Sequence, residues 1–464
     1  MAGVFNTKEF FMCSVRIKFA KAAVLGALCA ATSAHAAGFL LSEQSSVLMG
    51  RAYAGAGVAG DDISGIFFNP ASMTLFPGTQ VQAGTTWVRC DFPYEEVDGS
   101  VRENGRLKGQ AIPAGFINHQ IADNLWIGLG ITVPYGLGTD YGKNWKHSDK
   151  GSRGYVFTID FNPNIAWKVN DYLSIGAGAS AQYVKAILAY DVVKGINGRL
   201  DADGWKYSYN LGMMVKTTDK LRLGLSYRSA ISHEADGNFK INGANGSTYA
   251  AMLSDTYMAA KGALKTPATA HASVAWDITP RWMLTGLVRW TQWSNFDKIS
   301  IKTDATALSA MAGQASLAAT LAGAAGNSAA AAQYGAASQA LGMLAAGVSD
   351  MEIRTDWRDT WLFAIGADYK VNDSWTVRCG AAYETDPVDV KENLIATIPD
   401  QARAWFSVGA TYRADKNWIV DAGLTYLKAV GSDAKLYSAD RSQVVGTFTD
   451  SDAYIAGIQF QYRF

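Results

Sequence analysis

The sequence predicts an all-β membrane protein: a 14-stranded antiparallel outer-membrane β-barrel with an N-terminal hatch inside the lumen. Three observations predict this fold. Apolar and polar residues alternate along segment after segment, and a period of two is typical of a strand with one apolar face. Aromatic residues recur at the ends of these segments, where lipid-facing strands meet the membrane interfaces. Short polar turns alternate with long loops, as on the two faces of such a barrel.

Residues 1–36 have the features of a removable signal peptide. Basic residues precede a small-apolar run, and that run is too short to span a membrane. Ala34-His35-Ala36 supplies the small residues of a cleavage site. We therefore expect a secreted chain whose mature part begins near Ala37, and the sequence leaves open whether Met1 or Met12 is the start.

Residues 37–78 are rich in glycine and alanine and follow no alternation. We expect this segment to lie inside the lumen as a hatch, and residues 79–464 to form the barrel. Six short turns imply seven hairpins and therefore 14 strands, which must close because an open edge in lipid leaves backbone groups unsatisfied. The predicted turns are Ile121–Asn124, Val169–Tyr172, Thr217–Lys220, Asp277–Arg281, Lys370–Ser374 and Arg413–Asn417.

An alanine-rich segment, residues 305–349, contains no charged residue. Leu317 and Leu321, then Leu341 and Leu344, keep helical spacing. We expect it in a long extracellular loop between the ninth and tenth strands. Two interpretations stay open: the loop contacts an apolar ligand or the outer leaflet, or it is an insertion without a role in function.

Composition excludes several functions. The chain has 41 basic and 41 acidic residues, so no basic excess exists to bind nucleic acid. Cys90 and Cys379 lack metal-ligand spacing, and the sequence leaves open whether they pair. No metal or other cofactor is expected.

Short motifs are spread along the mature chain: Ala37-Gly38-Phe39, Gly50-Arg51-Ala52-Tyr53, Asp61-Asp62, Asn69-Pro70-Ala71, Asn162-Pro163, Thr266-Pro267-Ala268, Trp290-Thr291-Gln292-Trp293-Ser294, Asp359-Thr360-Trp361, Arg378, Asp386-Pro387-Val388 and Ile398-Pro399-Asp400 before Arg403 and Trp405. In this order and spacing they resemble the FadL family of outer-membrane transporters. Members of that family carry long-chain fatty acids and, in some branches, aromatic hydrocarbons. The resemblance covers essentially the whole mature chain, and the charge-free segment departs from it.

The resemblance implies a hatch whose N-terminus moves, together with a kink in the third strand, to open a route through the barrel wall. It implies that Phe39 lies beside a ligand pocket and that Asn69, Pro70 and Ala71 contact the kink. The third strand runs from about Leu125 to Val133, so Gly128 and Gly130 are the expected kink positions. The alternatives are an anchor for Phe39, a simple turn for the proline motif, and relief of crowding for the glycines.

Four charged residues, Arg378, Glu384, Arg403 and Asp421, lie among neighbours expected to face lipid. They must point inward, because a charge on the lipid face costs a few kcal/mol near mid-bilayer. We expect them to form a lumenal ion-pair network that holds the hatch to the wall. An arginine that binds a ligand carboxylate is the alternative.

The function expected from the resemblance is passive uptake of hydrophobic small molecules, first of all long-chain fatty acids, with aromatic hydrocarbons as the alternative. A general porin is disfavoured because a plugged barrel cannot pass solutes freely. A lipase is disfavoured because His119, His147, His233 and His271 sit in no recognisable nucleophile motif. The expected partners are the apolar ligand and the lipopolysaccharide and phospholipid around a monomer.

Overall fold

The computed structural model describes residues 38–464 except 106–108, 143, 194, 244–252, 254–255, 390–393, 432, 439 and 450. The expected signal peptide and Ala37 lie outside the described residues.

The chain forms a closed barrel of 14 antiparallel wall strands, as the sequence predicts. Nineteen strand segments build it, because five of the wall strands (the third, seventh, eighth, ninth and tenth) consist of two segments each. Four further segments, β2, β3, β21 and β22, form a small separate sheet. In chain order the strands are β1 (Thr79–Cys90), β2 (Pro93–Glu96), β3 (Arg102–Asn104), β4 (Gln110–Ala122), β5 (Leu125–Thr132), β6 (Gly136–Asp140), β7 (Arg153–Lys168), β8 (Leu173–Val193), β9 (Ile196–Thr218), β10 (Leu221–Arg228), β11 (Ile231–Gly243), β12 (Thr256–Thr266), β13 (Thr269–Asp277), β14 (Trp282–Thr291), β15 (Lys298–Thr303), β16 (Asp350–Arg354), β17 (Thr360–Lys370), β18 (Trp375–Glu384), β19 (Ala402–Arg413), β20 (Trp418–Val430), β21 (Ala434–Tyr437), β22 (Val444–Phe448) and β23 (Ala453–Arg463).

The first strand closes the wall. In β1, Gln80 pairs with Asn118 of β4 on one side and with Arg463 of β23 on the other. Closure leaves no strand edge in the membrane, so backbone donors and acceptors are satisfied between neighbours. The six short turns of the barrel lie where the sequence predicts them. Cys90 and Cys379 lie on β1 and β18, which are not neighbours in the barrel.

Period-two alternation sorts the side chains to the two faces of the wall. In β17 the side chains of Trp361, Phe363 and Ile365 are exposed, whereas Leu362 and Ala364 between them are buried. Aromatic side chains pair across neighbouring strands at the short-turn end, as expected of an interfacial girdle. The pairs are Trp282 with Tyr369, Trp375 with Tyr412, and Trp418 with Tyr462, with ring centroids 4.6, 4.8 and 4.8 Å apart.

Residues 38–78 lie inside the barrel and contain little regular structure. Helix α1 (Ser46–Met49) is capped by the preceding Ser45, whose hydroxyl accepts the Leu48 N–H at 3.1 Å. Helix α2 is Gly65–Phe68, and a 3-10 helix follows at Pro70–Leu75. Side-chain caps satisfy amide groups that such short helices leave unpaired. The hatch therefore fills the lumen without forming a strand of the barrel sheet.

Two longer helices occupy the alanine-rich segment: α3 (Thr306–Ala324) and α4 (Ser328–Ser349). In the part of the chain that the structure describes, no helix is long and apolar enough to cross a membrane. Leu341 and Leu344 are buried in one cluster with Leu200 and Phe239. Leu200 lies on the same face of β9 as the buried Asn210, so the hairpin packs against the buried face of this strand.

Wall glycines let the hatch approach the wall backbone closely. A Cβ atom at Gly380 would lie 2.3 Å from the Arg51 carbonyl carbon, and one at Gly423 would lie 2.6 Å from the Ser46 carbonyl oxygen. Real Cβ atoms do not approach backbone this closely, so any side chain at these positions displaces the hatch.

We expect Gly380→Ala to destabilise the folded protein by about 1–3 kcal/mol, the usual cost of overpacking. Gly115→Ala is the matched control, because a Cβ there would find its nearest neighbour, the Gln82 carbonyl oxygen, at 3.8 Å. The measurement is the urea unfolding midpoint in detergent micelles. Equal midpoints for the two variants would show that the hatch does not press on this wall strand.

Candidate functional site

The third wall strand is interrupted between β5 and β6, at Val133-Pro134-Tyr135. Thr132 pairs with Asp160 of β7, and Gly136 pairs with Phe157. Four steps along the third strand therefore oppose three steps along its neighbour, and the extra residue makes a bulge. Pro134 has no N–H to give to the sheet, which is why the ladder breaks here.

The expectation that Gly128 and Gly130 mark the kink is wrong. Both lie in the regular part of β5 and pair with Asn118 and Phe116 of β4. Gly128 instead permits contact with the hatch, because a Cβ there would lie 2.6 Å from the Met73 sulfur. A glycine in a strand allows either a bend or the close approach of another segment. At Gly128 it allows the close approach of the hatch.

The N-terminal end of the hatch, residues 38–44, covers the interruption; we call it the strap. Leu41 donates its N–H to the Pro134 carbonyl at 2.7 Å, and Gly136 donates its N–H to the Phe39 carbonyl at 2.9 Å. The strap thus replaces the strand partner that the wall lacks at this point.

The Gln44 side chain completes this contact. Its amide nitrogen donates to the Val133 carbonyl at 2.8 Å, and its oxygen accepts the Val133 N–H at 3.2 Å. A buried backbone N–H and C=O are expensive to leave unpaired. Movement of the strap would therefore expose unpaired groups of the wall.

The motif Asn69-Pro70-Ala71 does not contact the interruption, contrary to expectation. The Asn69 amide donates to the Met213 carbonyl of β9 at 3.0 Å. Pro70 and Ala71 press against Gly176 of β8, where a Cβ would lie 2.6 Å from the Ala71 nitrogen. The motif anchors the hatch to the fifth and sixth wall strands, on another part of the wall.

Phe39 of the strap is buried in an aromatic pocket. Its ring centroid lies 4.9 Å from Trp293, 5.2 Å from Phe296, 5.9 Å from Tyr135 and 6.5 Å from Trp357. The first three contacts are edge-to-face, the arrangement that aromatic pairs prefer. All four partners lie at interruptions of wall strands, where the chain leaves the sheet and turns inward.

The strap begins at a buried carboxyl group. Gly38 donates its N–H to Asp400, which also forms an ion pair with Arg403. Burial raises the pKa of Asp400, which lies in the loop before β19, to about 7. Gly38 has a positive φ of 68°, and a Cβ there would overlap the Trp293 ring, so only glycine fits at this position.

Buried charges hold the body of the hatch to the wall. Arg51 of the hatch forms an ion pair with Asp368 at 3.0 Å, and Arg378 reaches the same carboxylate at 3.1 Å. Arg378 also donates to the Thr411 hydroxyl at 2.7 Å, which in turn donates to Asp421. This cluster satisfies charges that would otherwise be costly to bury.

The four inward charges predicted from the sequence fall into three separate groups. Arg378 and Asp421 share the cluster with Arg51, and Arg403 pairs with Asp400. Glu384 pairs with Arg289, whose guanidinium also donates to the Ser42 hydroxyl of the strap at 2.6 Å. Sequence reasoning did not assign ion-pair roles to Arg51, Asp368, Arg289 and Asp400, although Arg51 and Asp400 lie within the family motifs.

The protein is a closed barrel with a lipid-facing apolar wall, an internal plug and an aromatic pocket. These features place it in the class of plugged outer-membrane β-barrels. Residues 27–464 match the family model described as "Outer membrane protein transport protein (OMPP1/FadL/TodX)". The chain belongs to this family of outer-membrane proteins.

Relatives of similar length support this assignment. The chain is 26% identical to the long-chain fatty acid transport protein of Escherichia coli O6:H1, over 93% of this chain and 96% of that protein. It is 27% identical to the 47 kDa outer membrane protein of Pasteurella multocida, over 96% and 99%.

Solved structures share the fold. A Pseudomonas aeruginosa FadL homologue superposes with a TM-score of 0.75 at 22% identity, covering 92% of this chain and 99% of that one. The Ralstonia pickettii toluene transporter TbuX superposes with a TM-score of 0.64 at 16% identity, covering 91% and 99%.

The raised pKa of Asp400 predicts how stability changes with pH. The unfolded carboxyl group releases its proton near its ordinary pKa of 3.8 and the folded one near 7. Between these values the folded state binds more protons, so the stabilising contribution of Asp400 is complete below pH 4 and is lost as pH rises through 7. The unfolding midpoint of the wild type relative to Asp400→Asn should fall over this window and stay constant above pH 8. A relative midpoint that rises with pH would contradict this assignment.

Proposed function

We propose that the protein passively takes up hydrophobic small molecules, long-chain fatty acids first of all, across the outer membrane by a hatch-gated lateral route. The observation that carries the proposal is the strap over the third-strand interruption: the segment that closes the wall gap also carries Phe39 of the aromatic pocket. Occupation of the pocket and opening of the wall are therefore coupled through one short segment.

Apolar burial supplies the binding energy. A long acyl chain gains about 0.8 kcal/mol for each buried methylene group, so an apolar pocket binds it without any chemical step. A sideways exit into lipid keeps the chain out of water. Displacement of Phe39 by the ligand would loosen the strap. The ligand could then leave the pocket through the gap that opens in the third wall strand.

Aromatic hydrocarbon uptake is the second candidate. The four aromatic rings around Phe39 favour it, because an aromatic ligand could take the edge-to-face place of the phenylalanine. One relative is named for long-chain fatty acids and one structural neighbour for toluene. We propose a monomer surrounded by phospholipid and lipopolysaccharide, with no cofactor and no catalytic role.

Uptake of labelled oleate and toluene by cells that lack their own transporter tests the substrate. We expect expression of the protein to raise oleate uptake above that of cells with the empty vector. A rise with toluene alone would favour the second candidate, and no rise with either compound would contradict transport.

A reversible cross-link tests the route. In a background with Cys90→Ser and Cys379→Ser, the pair Leu40→Cys and Tyr135→Cys joins two residues that face each other in an isolated bridge between strap and wall. We expect oxidation to reduce uptake to the background level, because the strap can no longer leave the gap, and reduction to restore it.

The control pair for this experiment is Ser407→Cys and Thr425→Cys, which joins neighbouring wall strands β19 and β20. Oxidation of the control should leave uptake unchanged. Full uptake with the strap cross-linked would rule out its movement as the gate.

A further inference from the structure

A second buried site lies between the core cluster that contains Phe39 and the core cluster beneath the helical hairpin. Apolar side chains enclose a cavity of about 50 Å³. Leu137 and Ile398 line the cavity and also belong to the core cluster of Phe39. Leu200 and Ala202 line it from the other side and belong to the cluster beneath the hairpin. The cavity therefore borders both clusters.

The imidazole group of His233 lies in the mostly apolar wall of the cavity, to which Thr397 and Tyr155 also contribute. His233 of β11 is 1% exposed. Its Nε2 atom lies 3.0 Å from the Gln182 side-chain oxygen. Its Nδ1 atom is buried and has no hydrogen-bond partner among the described residues. A buried polar atom without a partner is uncommon and calls for a ligand or a water molecule.

The Gln182 side chain decides which ring nitrogen of His233 carries the proton. The atom of Gln182 that faces His233 Nε2 is its side-chain oxygen. An amide oxygen accepts hydrogen bonds and cannot donate one. The histidine must then donate from Nε2, which leaves Nδ1 as an acceptor.

We propose that His233 Nδ1 accepts a hydrogen bond from the hydroxyl group of an apolar ligand: a phenol, a long-chain alcohol or a protonated fatty acid. This inference rests on the proposed function and adds the head-group chemistry that the site selects. A hydrocarbon has no hydrogen-bond donor. A carboxylate anion has only acceptor oxygens, which cannot form a hydrogen bond with the acceptor Nδ1 of His233. The cavity holds a hydroxyl group and the first carbon atoms, while the rest of the ligand extends along the apolar wall towards Phe39.

Two ligands that differ by one hydroxyl group test this site. We would measure the Kd of toluene and of p-cresol for the full chain in detergent micelles by calorimetry. The quantity of interest is the ratio of the toluene Kd to the p-cresol Kd. His233→Phe removes the acceptor, so we expect this ratio to fall about fivefold, the usual worth of one hydrogen bond. An unchanged ratio would overturn the proposal.

His119→Phe is the matched control. His119 is an exposed histidine at the short-turn end of β4, with the Thr79 hydroxyl at 2.8 Å. It lies at the opposite end of the barrel from the cavity, so its replacement should leave the ratio at the wild-type value. A fall of the same size in this variant would contradict a specific role of His233.

A ligand-side measurement covers the case in which His233→Phe does not fold. In 4-methylanisole a methyl ether replaces the hydroxyl group of p-cresol, so the ligand keeps an acceptor and loses the donor. We expect the wild type to bind p-cresol about fivefold more tightly, although the ether is more apolar. Equal binding would overturn the proposal. Failure of every ligand to bind would count against the proposed function itself, whereas binding without preference for the hydroxyl group would remove only this inference.

Discussion

The structure depends on one constraint: a backbone in lipid must find all its hydrogen-bond partners within the protein. Pairing of β1 with both β4 and β23 meets this constraint around the barrel. At Val133–Tyr135 the third wall strand departs from regular pairing, and the strap supplies partners from inside the lumen. The wall and the hatch are therefore parts of one hydrogen-bonded system, in which neither is complete without the other.

The hatch is held to the wall by two kinds of contact. Its body is fixed by the ion pair of Arg51 with Asp368, and breaking a buried pair by removal of one partner costs about 3–5 kcal/mol. The strap is held by single hydrogen bonds of backbone and side-chain groups, such as those from Leu41 to Pro134 and from Gln44 to Val133, and each bond between neutral groups contributes about 1 kcal/mol. Each neutral contact of the strap therefore contributes less than the buried ion pair that fixes the body.

The packing of the helical hairpin between the ninth and tenth wall strands explains why this segment has no charged residue. The absence of charge suits a segment that packs Leu341 and Leu344 against apolar side chains on the lumenal face of the wall strands. Leu317 and Leu321 remain on the outside, with 61% and 62% of their surface exposed.

The sequence by itself determined the wall: the number of strands, their turns, the inward direction of Arg378 and Glu384, and the helices of the alanine-rich segment. These features are local, because a period of two or 3.6 residues reports which face a side chain takes. Only the tertiary structure decided that Glu384 meets Arg289, that the strand breaks at Pro134 instead of Gly128, and that the proline motif anchors the hatch elsewhere. Such contacts depend on the register between distant strands and on the path of the hatch. The periodicity of residues within one segment contains no information about either of these.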